Sequence, residues 1–450
     1  MSVVQSLQQG IYQTGTGAEI RGVQSSGTLT LETIMTTISP PYQRRRTISW
    51  CLYDFANSAY SAVIVTTLFA SYYTGLIVGN DAGLGDVWWG RVSSVSMLFV
   101  ALSSPFLGGI ADAGGLRKRL WITYTYLSIL MVVGFTILEP GMILTGFVLA
   151  TLANIGMEGA MVFYNAYLPQ LTTTSTQGRV SGWGYATGYV GSIVALMVAL
   201  PFADPFRANP IWLLVAAQFA IFSLPAFLSL PGHTGKPIGL VEAGRRGFES
   251  TRTLLGRLWR RPNARRFLLA YIFYQDGVQT VLIFAGVFAA TTLGMDTSQL
   301  IILILVVQFS ALFGAMAMAK PTDTRGPKFV IILSLYLWCG VVIAAFFVQT
   351  QSQYWVISVV AGLGLGSVQA ASRAFFIRFI PEGEENQYFG VYALVGKSAA
   401  IIGPIFFGEI SRAFGSQRPA ILSVIVLFSI GLILVRGVKM EEEEIGEIEA

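Results

Sequence analysis

The chain has 450 residues, 54% of them hydrophobic and only 12% charged, with a mean hydropathy of +0.62. Soluble domains carry about 25% charged residues, so this balance excludes an ordinary soluble enzyme and points to a polytopic membrane protein. The net charge of +5 does not argue for a nucleic-acid partner, because most basic residues gather in loops on one side of the expected topology.

Residues 1–46 are rich in Thr, Ser, Gln and Gly and lack an apolar core. They read as a flexible cytoplasmic tail rather than a signal peptide, with a short amphipathic helix as the alternative. About twelve apolar runs follow, at 50–78, 88–111, 120–138, 142–164, 180–202, 211–230, 267–292, 299–319, 329–348, 354–377, 389–408 and 419–436. The expected fold is an all-α membrane protein with two pseudo-symmetric six-helix halves, 47–230 and 267–436. A basic cytoplasmic loop at 231–266 joins them, and an acidic tail at 437–450 ends the chain. With the N-terminus inside, the cytoplasmic side holds Arg44–Arg46, Arg117, Lys118, Arg119, Arg179, the central loop, Lys320, Arg325 and Lys328. The outer side then holds only Arg91, Arg207, Arg412 and Arg418, so both termini are expected in the cytoplasm.

The first span carries Trp50-Cys-Leu-Tyr-Asp54-Phe-Ala-Asn57-Ser-Ala-Tyr60, an acid within an apolar run. Ionisable groups inside a span are costly and usually mark a substrate, ion or proton path. The loop after the second span, Gly108-Gly-Ile-Ala-Asp112-Ala-Gly-Gly115-Leu-Arg117-Lys118-Arg119, combines a turn-permitting glycine with an acid and basic residues. The loop resembles the signature loop of the major facilitator superfamily, which implies a cytoplasmic gate built on Gly108, Asp112, Gly115 and Arg117; the alternative is a turn with topology-setting charges. Glu158 lies well inside the fourth span, in Ala153-Asn154-Ile-Gly156-Met-Glu158-Gly159.

The central loop holds Arg245, Arg246, Arg252, Arg257, Arg260, Arg261, Arg265 and Arg266. Residues 242–259 can form an amphipathic helix on anionic lipid headgroups; the alternative is a solvated basic linker. In the second half, Asp276 and Gln279 repeat the spacing of Asp54 and Asn57. Gln369 and Arg373 share a helix face, and Lys397 sits inside the eleventh span. Arg373 or Lys397 can receive a substrate carboxylate, or can pair with Asp54, Glu158 or Asp276 to hold helices together. The three carboxylates are candidates to couple a proton gradient to substrate movement. Tyr53, Tyr60, Trp183, Tyr185, Tyr189, Tyr271 and Tyr274 are candidates to line a cavity, packing being the plainer reading for each.

The two halves echo one another. Asp54 recurs at Asp276, shifted by 222 residues, and Asp112 with Gly115 recurs at Asp323 with Gly326, shifted by 211. Pro169 matches Pro381, and Gly182 and Gly188 match Gly390 and Gly396. A duplicated six-helix unit is the repeat plan of the major facilitator superfamily, and the Asp112 loop resembles that superfamily's signature loop. Cys51 and Cys339 define no disulfide framework, the single His233 lies in a loop, and no metal-ligand cluster, Walker loop or nucleophile elbow occurs. An enzyme, a resident metal and a cofactor are therefore not expected.

The tract from Trp50 to Tyr60, Asp276-Gly-Val-Gln279-Thr280, Gln369 through Arg373, and Phe389-Gly-Val-Tyr392 through Lys397 resemble the vacuole-effluxer-like branch of the major facilitator superfamily. The compact central loop makes the chain similar to the shorter prokaryotic members. The resemblance implies a secondary active transporter, with amino acids as substrate, working by alternating access with proton coupling. It places the protein in the cell (inner) membrane, or alternatively a vacuolar membrane. A monomer is expected, with a small-molecule substrate and membrane lipids as its partners. A lipid or lysolipid transporter of the same fold, or a non-transporting receptor, are the competing readings.

Overall fold

Long apolar helices terminated by glycine and proline set the architecture. The computed structural model describes residues 40–66, 68–79, 84–173, 175–199, 209–232, 240–295, 297–399, 402–414 and 416–439. The tail before residue 40, Arg207, His233 and the segment Glu441–Glu444 lie outside the described residues, as does the side chain of Arg412.

All regular elements among the described residues are helical. In the first half they are α1 (Pro40–Ala59), α2 (Leu68–Tyr72), α3 (Leu84–Gly114), α4 (Arg117–Gly134), α5 (Ile143–Asn165), α6 (Leu168–Leu171), α7 (Gln177–Ala199) and α8 (Asn209–Ser229). Helix α1 continues as a π-helix over Tyr60–Val65, and α2 continues as another over Tyr73–Val78. The connecting segment forms α9 (Leu240–Arg260). The second half comprises α10 (Pro262–Thr291), α11 (Thr297–Thr324), α12 (Pro327–Phe347), α13 (Gln351–Ile377), α14 (Glu385–Ser398), α15 (Ile402–Phe414) and α16 (Gln417–Arg436).

Eleven helices among the described residues are long and apolar enough to cross a membrane. The span expected at 389–408 is not one of them, because it is broken into α14 and α15. The cause is local. Pro404 lacks an N–H and is better tolerated in a first turn than in a helix interior, which favours a fresh start here, although α3, α8 and α11 do run through Pro105, Pro225 and Pro321. Helix α15 starts at Ile402, and the Gly403 N–H donates to Asp276 Oδ2 at 2.8 Å.

The equivalent turns of the two halves are built alike. Helix α3 ends at Gly115 with φ +66°, and α11 is followed by Gly326 with φ +84°, both in the left-handed region that only glycine enters cheaply. Each turn hands over at once to the next helix, Arg117 opening α4 and Pro327 opening α12. Proline suits that first position, since the N–H it lacks would have no helical partner.

Buried aromatic rings fill the first half. Phe69 stacks on Phe135 at 3.8 Å and meets the edge of Trp212 at 5.3 Å, while Tyr53 packs between Trp121 and Tyr164. The halves meet where α7 packs on α11 and α13, and where α3 packs on α14.

The turn geometry yields a stability test. Gly115→Ala should cost about 1–2 kcal/mol through the left-handed φ. Gly340→Ala, on α12 where an added methyl meets nothing within 4 Å, should be neutral or slightly stabilising. Thermal unfolding of the two purified variants in detergent measures the difference; equal melting temperatures would contradict the account of the turn.

Candidate functional site

Among the described residues, two ion pairs inside the spans join the two halves. Asp54 on α1 meets Arg373 on α13, with Oδ2 3.5 Å from Nη1 and side-chain exposures of only 6% and 1%. Arg373 is held on every side. Its Nε donates to Ser181 Oγ at 3.0 Å, Nη2 to the Ser181 carbonyl at 2.7 Å, and Nη1 to Asn165 Oδ1 at 3.2 Å. The guanidinium also lies 4.2 Å from the Tyr185 ring centre and 4.8 Å from that of Trp50. Trp50 is fixed in turn by stacking on Tyr164 and donating to the Tyr164 carbonyl at 3.1 Å. Gly184 makes room for the pair: a methyl there would stand 2.7 Å from Asp54 Oδ2 and 2.8 Å from Arg373 Nη2. Asn57 donates to the Tyr53 carbonyl at 2.9 Å and to Asp54 Oδ1 at 3.4 Å, which orients the acid. Gln369, one turn before Arg373, accepts from the Tyr189 hydroxyl at 2.6 Å.

A second pair joins Glu158 on α5 to Lys397 on α14 at 2.6 Å. Its side chains are 18% and 26% exposed, so this pair is less deeply buried than the first. Lys397 lies in the last turn of α14, where the helix dipole favours a cation. Eleven residues separate it from Asn386 at the start of that helix, a rise of roughly 16 Å, or half the hydrocarbon thickness. The break after α14 therefore lies beside the ammonium, well along the bundle from the α9 end.

Asp276 serves a different purpose. It is buried on α10, accepts from the Gly403 N–H and so caps the N-terminus of α15, a favourable place for a carboxylate. Asp54 and Asp276, equivalent in the repeat, share no partner among the described interactions. Gln279 is half-buried on α10 and is not drawn to Asp276 as Asn57 is to Asp54.

At the end of the bundle where α9 lies, two further acids cap helices of the opposite half. Asp112 accepts from Asn386 Nδ2 at 2.5 Å and from the backbone N–H groups of Asn386 and Gln387 at 3.4 and 2.9 Å, at the start of α14. Arg117 bridges Glu385 at 2.7 Å and Asp112 at 3.6 Å, and donates to the Ala166 carbonyl. Gly108 lets α14 approach, because a Cβ there would overlap the Asn386 carbonyl. By the same device, Asp323 accepts from the Gly178 N–H at 2.6 Å, the Arg179 N–H at 3.2 Å and Arg179 Nε at 2.7 Å, at the start of α7. The two halves are thus tied together twice at this end.

Several participants were missed from sequence: Ser181, Asn165 and Gly184 around Arg373, and Glu385, Asn386 and Gln387 opposite Asp112. The only local sign of the latter was an acidic, amide-rich first turn on α14. Of the candidate aromatics, Tyr185 and Tyr189 join the Arg373 and Gln369 contacts, and Tyr274 donates to or accepts from Ser372 at 2.8 Å. Tyr53 and Tyr60 are core residues, Tyr271 stacks on Tyr392 at 4.4 Å, and Trp183 is 49% exposed.

The chain as a whole is similar to known proteins. The family described as "Vacuole effluxer Atg22 like" matches residues 91–445. The uncharacterized MFS-type transporter YxiO of Bacillus subtilis is 28% identical over 406 residues, covering 87% of this chain and 94% of the relative. Autophagy-related protein 22-1 of Penicillium rubens is 23% identical over 432 residues, covering 75% and 73%. Among solved structures, the human organic anion transporter MFSD10 superposes with a TM-score of 0.71 at 14% identity, covering 88% of this chain and all of that one. The proton:xylose symporter XylE gives 0.67 at 14% identity, covering 88% and 96%. With the family match running over most of its length, this chain belongs to the Atg22-like vacuole effluxer family, has the major facilitator fold, and is a membrane transporter rather than an enzyme.

Proposed function

We propose that this protein moves small zwitterionic solutes, amino acids first among them, by alternating access coupled to protons. The observation that carries the reading is the Glu158–Lys397 pair, partly exposed and formed across the two halves. An amino acid offers an ammonium to Glu158 and a carboxylate to Lys397, so it can replace each partner of the pair with one of its own ends. A proton on Glu158 removes the charge that holds the substrate ammonium, which links protonation to substrate release. The buried Asp54–Arg373 pair acts as a tie between halves rather than a contact for substrate, with Asn57 and Gln369 orienting its surroundings and Asp276 fixing α15. The Asp112 and Asp323 caps, with Arg117, close the end of the bundle that carries α9.

The arginines of α9 and its flanks support a cytoplasmic placement of that end, with both termini on the same side. The cell membrane is the proposed location, the vacuolar membrane the alternative, and the working unit a monomer. A lipid or lysolipid cargo is the second reading; inside the second half an apolar recess of about 80 Å³, lined by Phe284, Phe288, Leu303, Trp338, Tyr354 and Phe407, offers room for the end of an acyl chain.

Uptake of labelled amino acids into proteoliposomes under an imposed pH gradient tests the first reading. Lys397→Gln should raise the half-saturation concentration roughly tenfold or more, the loss of one hydrogen bond to a charged group. Glu158→Gln should leave exchange between the two sides but abolish accumulation driven by the pH gradient. Wild-type accumulation by both variants would refute the assignment, and movement of lysolipid without amino acid would select the second reading.

The tie has its own signature. Asp54→Asn should destabilise the protein by about 3–5 kcal/mol, because it leaves a buried guanidinium without its counter-charge. Asp54→Asn/Arg373→Gln should recover much of that loss. Thermal unfolding of the single and double variants decides it, and additive losses would show that the two side chains are not coupled.

A further inference from the structure

The segment joining the halves is not a passive linker. Helix α9 has three faces, and each meets something different. The first is docked on the transporter: Ala243, Thr251, Leu254 and Leu258 are buried. There Gly247 and Gly109 bring α9 and α3 into backbone contact, since a methyl on Gly109 would stand 2.7 Å from the Gly247 carbonyl oxygen. Thr251 Oγ1 donates to the Pro105 carbonyl of α3 at 3.1 Å. From the other half, Gln387 Nε2 donates to Ser250 Oγ at 3.1 Å and Thr251 Oγ1 at 3.0 Å, and Arg257 Nη2 donates to both oxygens of Glu384 at 2.9 Å. Gln387 thus belongs to two contacts at once, its backbone held by Asp112 and its side chain by α9.

The second face is an exposed apolar stripe. Phe248, Leu255 and Trp259, at spacings of seven and four residues, share one side of the helix and are 59%, 45% and 65% exposed. Phe248 stacks on Phe106 of α3 at 5.6 Å, and Phe106 continues into exposed Leu102 and Phe99, so the stripe extends the outer surface of a membrane-spanning helix. The third face is charged, and the helix as a whole carries five arginines against two glutamates. Arg245 and Arg246 hold the Glu242 carboxyl down at about 2, while exposed Arg252 and Arg260 have no acidic partner among the described residues. Apolar side chains level with a spanning helix, beside arginines lacking counter-charges, fit the anionic leaflet of a bilayer.

We propose that α9 is a lipid-seated latch: anionic headgroups and acyl chains hold its outer faces, and its inner face clamps α3 to the start of α14, favouring the closed state at that end. The halves cannot part there without tearing α9 from one of them, or lifting its stripe out of the membrane. The proposal rests on the alternating-access reading, and the following measurement separates the two.

Cys51 and Cys339 are replaced by serine, and spin labels are placed through Arg119→Cys and Arg325→Cys, one exposed position in each half at the same end. Label distances are then measured in nanodiscs of pure phosphatidylcholine and of phosphatidylcholine with phosphatidylglycerol. The expected result is a short and a long distance, with the short-to-long ratio raised about fivefold or more by the anionic lipid and lowered again by high salt. Arg252→Gln/Arg260→Gln/Trp259→Ala, which leaves the docked face intact, should show the neutral-lipid ratio in both discs. Two distances whose ratio ignores lipid charge, or a triple variant with the full lipid response, would overturn the latch alone. A single distance in every bilayer and at every salt concentration would overturn the alternating-access reading with it.

Discussion

A charge inside a membrane-spanning bundle needs its opposite nearby, and here the opposite lies in the other half of the molecule. Asp54 and Arg373, 3.5 Å apart and almost wholly buried, are the strictest case. Removing either charge alone leaves the other in low dielectric, at a cost of about 3–5 kcal/mol. The halves are consequently bound by electrostatics where hydrophobic burial gives little preference, because lipid and side chain are equally apolar. Any motion that separates them must supply a replacement for each broken pair.

That requirement gives the remaining charges their order. A carboxylate set against the N-terminus of a neighbouring helix appears three times: Asp112 on α14, Asp323 on α7 and Asp276 on α15. The first two cross between halves, so rocking can make and break them. The third lies within the second half and holds the break in the eleventh span. Glu158 and Lys397 stand between these extremes, paired across the halves yet only partly buried. In the proposed cycle the substrate is the temporary counter-ion.

Much of this was legible in the residues. Asp112 and Asp323 were matched by a shift of 211 positions, and both accept from backbone N–H groups at the start of a helix in the other half and are followed by a glycine of positive φ. The acids Asp54 and Glu158 and the bases Arg373 and Lys397 stood out because charge is so rare in the spans. What sequence could not give was pairing. Asp54 and Asp276 occupy equivalent positions, yet one meets a guanidinium and the other a helix end, a difference decided by residues more than a hundred positions away. Hydropathy also read 389–408 as continuous, because a helix break keeps its apolar residues. The Gly403-Pro404 step was the available warning. Likewise the docking of α9 was foreshadowed only by small Gly247, Ser250 and Thr251 on one side of an arginine-rich helix.

The central claim is that one end of the substrate meets Glu158 and the other Lys397. The most direct test is the thermal stabilisation of the purified wild-type protein by a free amino acid, its N-acetyl derivative and its amide, since a ligand that binds only the folded state raises the melting temperature. The account predicts stabilisation by the free amino acid and a much weaker effect from either blocked form. Equal stabilisation by all three, or stabilisation by lysolipid alone, would contradict it.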